Sequence, residues 1–262
     1  NENKKIKTIG VMTSGGDAPG MNPFIRAVVR TAAANDIRVL GIEEGYEGLI
    51  HGKFRELGVR DVGGILQRGG TILQTARSKE FREPSGQREA IRQMNNAGMD
   101  AVIIAGGDGS LHGAQMLEQK GFPIMGVPAS IDNDIYGTDM CIGVDTALNT
   151  IVDAIDKIRD TASSHNRAFL IETMGRQSGY LAVQAGKAPH VQQVAGYDIE
   201  RGNRTDLIES FTNTMNAVLL SGRFDAVILD FPWYHAAVTN AYEYRGDVFN
   251  NDDVFWPVTG RR

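Results

Sequence analysis

Short apolar runs alternate with stretches of helical periodicity over the first two-thirds of the chain. Residues 6–12 (IKTIGVM), 37–45 (IRVLGIEEG), 100–107 (DAVIIAGG), 122–128 (FPIMGVP) and 167–175 (RAFLIETMG) read as strands. Several are unbroken in apolarity, as strands buried on both faces should be. Between them, residues 22–34 carry Phe24, Ile25, Val28 and Val29 at helical spacing, and residues 110–120 carry Leu111, Ala114 and Leu117. Residues 146–163 place Leu148, Ile151, Val152, Ile155 and Ile158 along one face of a third helix. This alternation predicts an α/β fold, a doubly wound parallel sheet covered by helices. In such sheets ligands sit beyond the carboxyl ends of the strands, and the glycine-rich segments of this chain fall there. After Pro189 the texture changes. Residues 204–222 read as a helix and 224–232 as a strand, while the last thirty residues, rich in Asn, Asp and aromatics, carry no assignable pattern.

Composition narrows the field. The 262 residues hold enough apolar content for one large or two medium domains. A formal net charge of -5 argues against nucleic acid or an anionic membrane as partner, since both favour a basic surface. No apolar run approaches spanning length, and the polar start NENKKIK leads straight into a strand, so neither membrane helix nor signal peptide is expected. The lone Cys141 fits a reducing, cytoplasmic setting.

Four segments could carry chemistry. In TSGGDAPGMN (13–22), Gly15 and Gly16 permit close backbone approach ahead of a helix whose first amides could receive an anion; a plain tight turn would use the same glycines. In IIAGGDGSLHGA (103–114), Gly106, Gly107 and Gly109 clear space for a polyphosphate. Asp108 among them suits Mg²⁺, and Ser110 offers a donor; a helix-capping Asp is the simpler alternative. The segment has neither the Walker A ending nor the dinucleotide glycine spacing. PASIDNDIYGTD (128–139) sets down Asp132, Asp134 and Asp139 with no Lys or Arg among them. Crowded carboxylates repel unless a cation, a proton or a hydroxyl relieves them, although Asp and Asn also favour turns for local reasons. Asp132 and Asp134 would share one side of an extended segment, one turned to an acceptor hydroxyl and the other to the metal or the loop. In HNRAFLIETMGRQSGYLA (165–182), Arg167 and Arg176 flank a strand and its turn, and a guanidinium fork matches phosphate oxygens.

IGVMTSGGDAPGMN (9–22), GGDGS (106–110), IDNDIYGTD (131–139) and IETMGRQSG (171–179), in this order and spacing, resemble the ATP-dependent 6-phosphofructokinases of bacterial type. The resemblance runs from about Ile6 to Ala188, and the familiar sugar-binding pattern is not found beyond it. It implies a nucleotide-binding domain over 1–142 and a substrate-binding domain over 143–262, divergent after about 188. It implies Mg²⁺-dependent transfer of the ATP γ-phosphoryl group to the 1-hydroxyl of fructose 6-phosphate, with Asp132 as base and Ser130, Asp134 and Arg176 in the catalytic group. Asp108 falls at the metal position, and Gly16, Tyr46, Arg77, Gly107, Gly109 and Ser110 at nucleotide positions. Ser130, Asp132, Arg167, Met174, Gly175 and Arg176 fall at sugar-phosphate positions, with Arg167 supplied across subunits in family tetramers. Arg26, Arg30 and Arg159 match an effector site for an ADP- or phosphoenolpyruvate-like ligand; Arg159 could equally pair on its helix with Asp156. Small residues at Gly109 and Ala129 favour ATP over pyrophosphate as donor. Three alternatives stay open: a non-catalytic nucleotide or sugar-phosphate binder, a truncated or fused chain, and a kinase for another hydroxyl acceptor.

Overall fold

The structure is a computed structural model that describes residues 6–165, 169–175, 178–187, 191–196, 226–231, 240–243 and 256–257. The chain divides into two compact units, residues 1–131 with 135–143, and residues 132–134 with 144–262.

The first unit is built in the order β1 (Thr8–Ser14), α1 (Met21–Ala34), β2 (Arg38–Ile42), α2 (Gly45–Ile50), β3 (Phe54–Glu56), α3 (Pro84–Asn96), β4 (Ala101–Gly106), α4 (Asp108–Gln119) and β5 (Ile124–Pro128). Its five strands lie in the order β3-β2-β1-β4-β5. β1 pairs in parallel with β2 on one side and with β4 on the other, and β4 pairs in parallel with β5. The winding therefore reverses between β1 and β4, which opens a crevice at their carboxyl ends. β3 departs from the all-parallel expectation and pairs antiparallel to β2. The connection through the six-residue α2 is too short for a parallel crossover.

Strand alternation distributes two cores. Met12, Leu40, Ile42, Val102 and Ile104 face one way and pack with Tyr46, Leu49, Met94, Ala114 and Leu117 from α2, α3 and α4. Ile9, Val11 and Val39 face the other way, against Ile25 and Val29 of α1 and against Leu57, Val62, Ile65 and Leu73. Those last four lie in the largely irregular chain between β3 and α3, which serves as a covering layer where a helix would be expected. α3 begins with Pro84 at its start, where a missing amide costs nothing, and buries Gly86, Gln87, Ala90 and Met94. β5 differs from the sequence expectation of burial on both faces. It lies at the sheet edge, and Met125 remains 63% exposed.

The second unit contains α5 (Val144–His165), β6 (Phe169–Met174), α6 (Tyr180–Ala185), β7 (Val191–Gly196), β8 (Ala226–Phe231), β9 (Asn240–Glu243) and β10 (Trp256–Pro257). Its strands run in the order β10-β9-β6-β8-β7. β6, β8 and β7 are parallel neighbours, while β9 and β10 are antiparallel additions. Along α5, Val144, Ala147, Ile151 and Ile155 are buried at intervals of three and four, so the buried stripe keeps Ile151 and Ile155 of the expected face, while Leu148, Val152 and Ile158 are only partly buried. The helix expected over 204–222 lies outside the described residues. Among the described residues, no helix is long and apolar enough to cross a membrane.

Burial sets a graded expectation along the first sheet. Ile104→Ala, at a fully buried position, should lower unfolding free energy by about 2–5 kcal/mol. Met125→Ala on the open edge should stay within about 0.5 kcal/mol. Chemical denaturation of the two variants beside the parent measures both; equal losses would contradict this assignment of core and edge.

Candidate functional site

Parallel register brings three strand ends into one row. Ser14 of β1 stands opposite Gly106 of β4, and Gly106 stands opposite Pro128 of β5. Each of the first three chemistry-bearing segments leaves from one of these tips. The turn after β1 requires glycine at Gly15, whose φ of +87° is left-handed and where a Cβ would come within 3.0 Å of Ser110 Oγ. Gly106 is needed for closeness: a Cβ there would lie 2.6 Å from both the Ser14 carbonyl oxygen and Ser110 Cβ. β1, β4 and the first turn of α4 are thereby pressed together.

Two other glycines have no such reason. At Gly16 and Gly109 a Cβ would meet nothing within 4 Å, and neither has a left-handed φ. Both are exposed, as are Asp17 and Asp108 beside them, whereas Ser14 and Ser110 are buried. Space is held open at these two positions without serving the chain's own packing. α4 starts at Asp108, with Gly107 as its N-cap. The Ser110 and Leu111 amides both donate to the Gly107 carbonyl at 3.0 Å. Asp108 in the first helical turn is favoured by the helix dipole whether or not a cation is near.

Tyr46 is an interior residue. Its hydroxyl donates to the Ser110 carbonyl at 2.6 Å, and its ring fills the place where a Cβ on Gly113 would come within 2.8 Å. It also stacks on Phe81, with ring centroids 4.0 Å apart. Burial pushes its phenol pKa well above the ordinary value. Tyr46 thus ties α2 to the first turn of α4. Arg77 is exposed on the irregular chain that follows β3. That chain is fastened beside the first segment by Thr13 and Asn22, two residues the sequence reading did not single out. Thr13 Oγ1 lies 2.8 Å from Thr71 Oγ1, and Asn22 Nδ2 donates to the Arg68 carbonyl at 2.9 Å.

The acidic loop leaves and returns at the same point. The Ala129 amide donates to the Gly106 carbonyl at 2.9 Å, the Ser130 amide to Ile142 at 3.2 Å, and the Ile142 amide to Pro128 at 3.0 Å. Ser130 borders the glycine segment, since a Cβ on Gly107 would lie 3.8 Å from Ser130 Cβ. Asp132 is half-buried, and Asp134 and Asp139 are exposed. Asn133 has a φ of +51°, a region Asn tolerates better than most residues. The segment is therefore bent, and the extended alternation expected for Asp132 and Asp134 does not hold.

Met174 closes β6 in the second unit and Gly175 follows it, buried. Arg167 and Arg176 lie outside the described residues. Arg26 and Arg30 occupy successive turns of α1, and Arg26 Nη1 donates to the Val62 carbonyl at 2.7 Å. Arg159, on α5, lies 3.6 Å from Asp160.

A doubly wound sheet with glycine turns at its switch point gives the first unit the architecture that receives ligands beyond its strand tips. Comparison with known sequences makes the class specific. A sequence model of the Phosphofructokinase family matches residues 8–217, beyond the Ala188 at which the motif resemblance stops. The chain belongs to the phosphofructokinase family. It is 54% identical over 189 residues to the ATP-dependent 6-phosphofructokinase of Oceanobacillus iheyensis, covering 72% of this chain and 59% of that protein. It is also 54% identical over 191 residues to ATP-dependent 6-phosphofructokinase 1 of Thermus thermophilus, with coverages of 72% and 59%. The chain thus spans about 59% of the length of these curated relatives. Among solved structures, the phosphofructokinase of Saccharomyces cerevisiae matches with a TM-score of 0.75 and 38% identity, over 86% of this chain and 34% of that one.

The two kinds of glycine should part on substitution. Gly109→Ala is expected to leave stability unchanged or raise it by up to about 0.5–1 kcal/mol, since an added methyl meets nothing. Gly106→Ala should destabilise the fold itself, because backbone and Ser110 stand in the way. Thermal unfolding of both variants beside the parent separates the two.

Tyr46→Phe removes the hydroxyl bond to the Ser110 carbonyl, which keeps its helical partner, and should cost about 0.5–1.5 kcal/mol at neutral pH. The parent's raised phenol pKa means that its contribution is complete below about pH 10 and is lost as pH rises further. The difference between parent and variant should therefore narrow in alkali, which unfolding curves at stepped pH would reveal.

Proposed function

We propose that the chain acts as an ATP-dependent 6-phosphofructokinase, with a nucleotide-binding domain over 1–142 and a substrate-binding domain over 143–262. The reaction is transfer of the γ-phosphoryl group of ATP to the 1-hydroxyl of fructose 6-phosphate, in the cytoplasm. The observation that carries this reading is the row of Ser14, Gly106 and Pro128, from which the two glycine segments and the acidic segment depart side by side. Phosphoryl transfer asks a protein chiefly to position its reactants and offset charge, and these segments supply the means. Gly16 and Gly109 leave room for phosphates beside the first turn of α4. Gly109 and Ala129 keep the donor side uncrowded, which suits the ATP named for relatives at 54% identity.

The residues present fit Mg²⁺. Asp108 is an exposed carboxylate beside the open glycine, and among the described residues no cluster of three or more His, Cys, Asp or Glu is arranged as a metal cage. A single carboxylate suits Mg²⁺, which keeps waters and phosphate oxygens as its other ligands. Bound there, Mg²⁺ would supply charge neutralisation at the transferring group. In this reading Asp132 accepts the proton of the attacking hydroxyl. Ser130, Asp134 and Arg176 complete the catalytic group, and Ser130, Met174, Gly175, Arg167 and Arg176 hold the sugar phosphate. Arg26, Arg30 and Arg159 are assigned to an effector site, and a tetramer like that of the family would bring Arg167 to a neighbouring subunit.

Asp132→Asn should lower turnover by about 10²–10⁴-fold, the range for loss of a positioned base, with little change in ATP affinity. A coupled assay with ATP, Mg²⁺ and fructose 6-phosphate, run beside calorimetry, measures both. Turnover in the variant equal to the parent would remove Asp132 from the role. Tight ATP binding with no turnover by the parent on any sugar phosphate would make this chain a binding protein.

A further inference from the structure

The irregular chain from Arg68 to Arg77 has no helix or strand to fix it, yet it stands beside the turn that follows β1. We infer that Asn22 is a positioning residue that holds this chain, and through it Arg77, in place for the nucleotide phosphates; this rests on the phosphotransferase reading above. Asn22 is 1% exposed, in the second position of α1, immediately after the TSGGDAPGM segment. Its buried amide satisfies three backbone groups of the neighbouring chain. Nδ2 donates to the Arg68 carbonyl at 2.9 Å and the Gly69 carbonyl at 3.4 Å, and Oδ1 accepts from the Ile72 amide at 2.8 Å. One side chain thus replaces the ladder that a strand would have provided.

A second fastening comes from the other end of the same turn. Thr13, fully buried in β1, meets Thr71 Oγ1 at 2.8 Å and donates to the Gln74 carbonyl at 3.4 Å. Thr71 Oγ1 in turn accepts from the Leu73 amide at 3.3 Å, and the Leu73 carbonyl accepts from the Glu44 amide at 2.8 Å. Residues 13 and 22 bracket the glycine turn, so the turn and the irregular chain are bound at both ends. A Cβ on Gly70 would lie 4.0 Å from Asp17 Oδ2, which brings the two segments nearly into contact at their middles. Gln74 then takes a left-handed φ of +61°, a conformation that non-glycine residues keep only where their surroundings enforce it. Arg77 follows three residues later, within about 10 Å of extended chain. The bend at Gln74 lies between these fastenings and Arg77, so loosening Asn22 or Thr13 frees the chain that carries Arg77.

The test uses the whole chain. Amide hydrogen exchange should show residues 68–74 protected in the parent and fast in Asn22→Ala, with β1 protected in both. Calorimetry with Mg-ATP should show affinity about ten- to a hundredfold weaker in Asn22→Ala, with KM for fructose 6-phosphate changed less than about twofold. A residue that acts through Arg77 must lose its effect when Arg77 is gone, so Asn22→Ala should add less than about twofold in an Arg77→Ala background. Thr71→Val, near-isosteric and half-buried, makes the same test from the other fastening and serves if Asn22→Ala does not fold. Fast exchange at 68–74 with unchanged ATP affinity overturns the inference and leaves the phosphotransferase reading intact. So does an Asn22 effect that persists in full without Arg77. A parent that binds no ATP overturns the phosphotransferase reading, and this assignment with it.

Discussion

The first unit depends on the parallel hydrogen-bond register that joins β1 to β4 and β4 to β5. Parallel pairing with no stagger at the carboxyl ends puts Ser14, Gly106 and Pro128 side by side, so three segments far apart in sequence depart from neighbouring points. A one-residue slip of β4 would turn Val102 and Ile104 out of one core and Ile103 into it. The same slip would withdraw Gly106 from the Ser14 carbonyl that it must approach. Core packing and site geometry are therefore enforced by the same register.

The glycines divide by what demands them. Gly15 and Gly106 answer to the chain itself, one through backbone conformation and the other through crowding. Gly16 and Gly109 answer to nothing in the chain and leave empty volume at the mouth of the crevice. This arrangement suits a site where much of the complementarity comes from backbone and space, with few side chains present before ligand arrives. Asp17 and Asp108 are exposed beside the open glycines, and the segment that leaves the tip of β5 adds the carboxylates of Asp132, Asp134 and Asp139.

Much of the fold was legible because its central strands are long apolar runs and because α1, α4 and α5 carry strong periodicity. α3 was not, since its buried face is made of Gly86, Gln87, Ala90 and Met94, of which only Met94 is a large apolar side chain. α2 and β3 are too short to show a period, and the antiparallel turn of β3 follows from a connection length that the pattern does not display. The motifs fall at neighbouring strand tips, because glycine and aspartate clusters mark turns whatever their purpose. Local conformation was less accessible. Asn133 bends the acidic segment through its left-handed φ, and an alternation argument assumes extended backbone. Asn22 gave no signal at all: an Asn near a helix start reads as an ordinary cap, and its three partners lie 46 to 50 residues further along.

The acidic loop is tied off at its base, where Ser130 and Ile142 close it with amide–carbonyl pairs next to the tip of β5. A loop sealed at its neck can lengthen or shorten with little strain on the sheet, since doubling a flexible loop costs only about 0.6 kcal/mol in closure entropy. The strand tips beside it are held by register and crowding, where almost any change is felt. Evolution thus has an inexpensive place to vary the acidic segment, while the glycine turns next to it stay fixed.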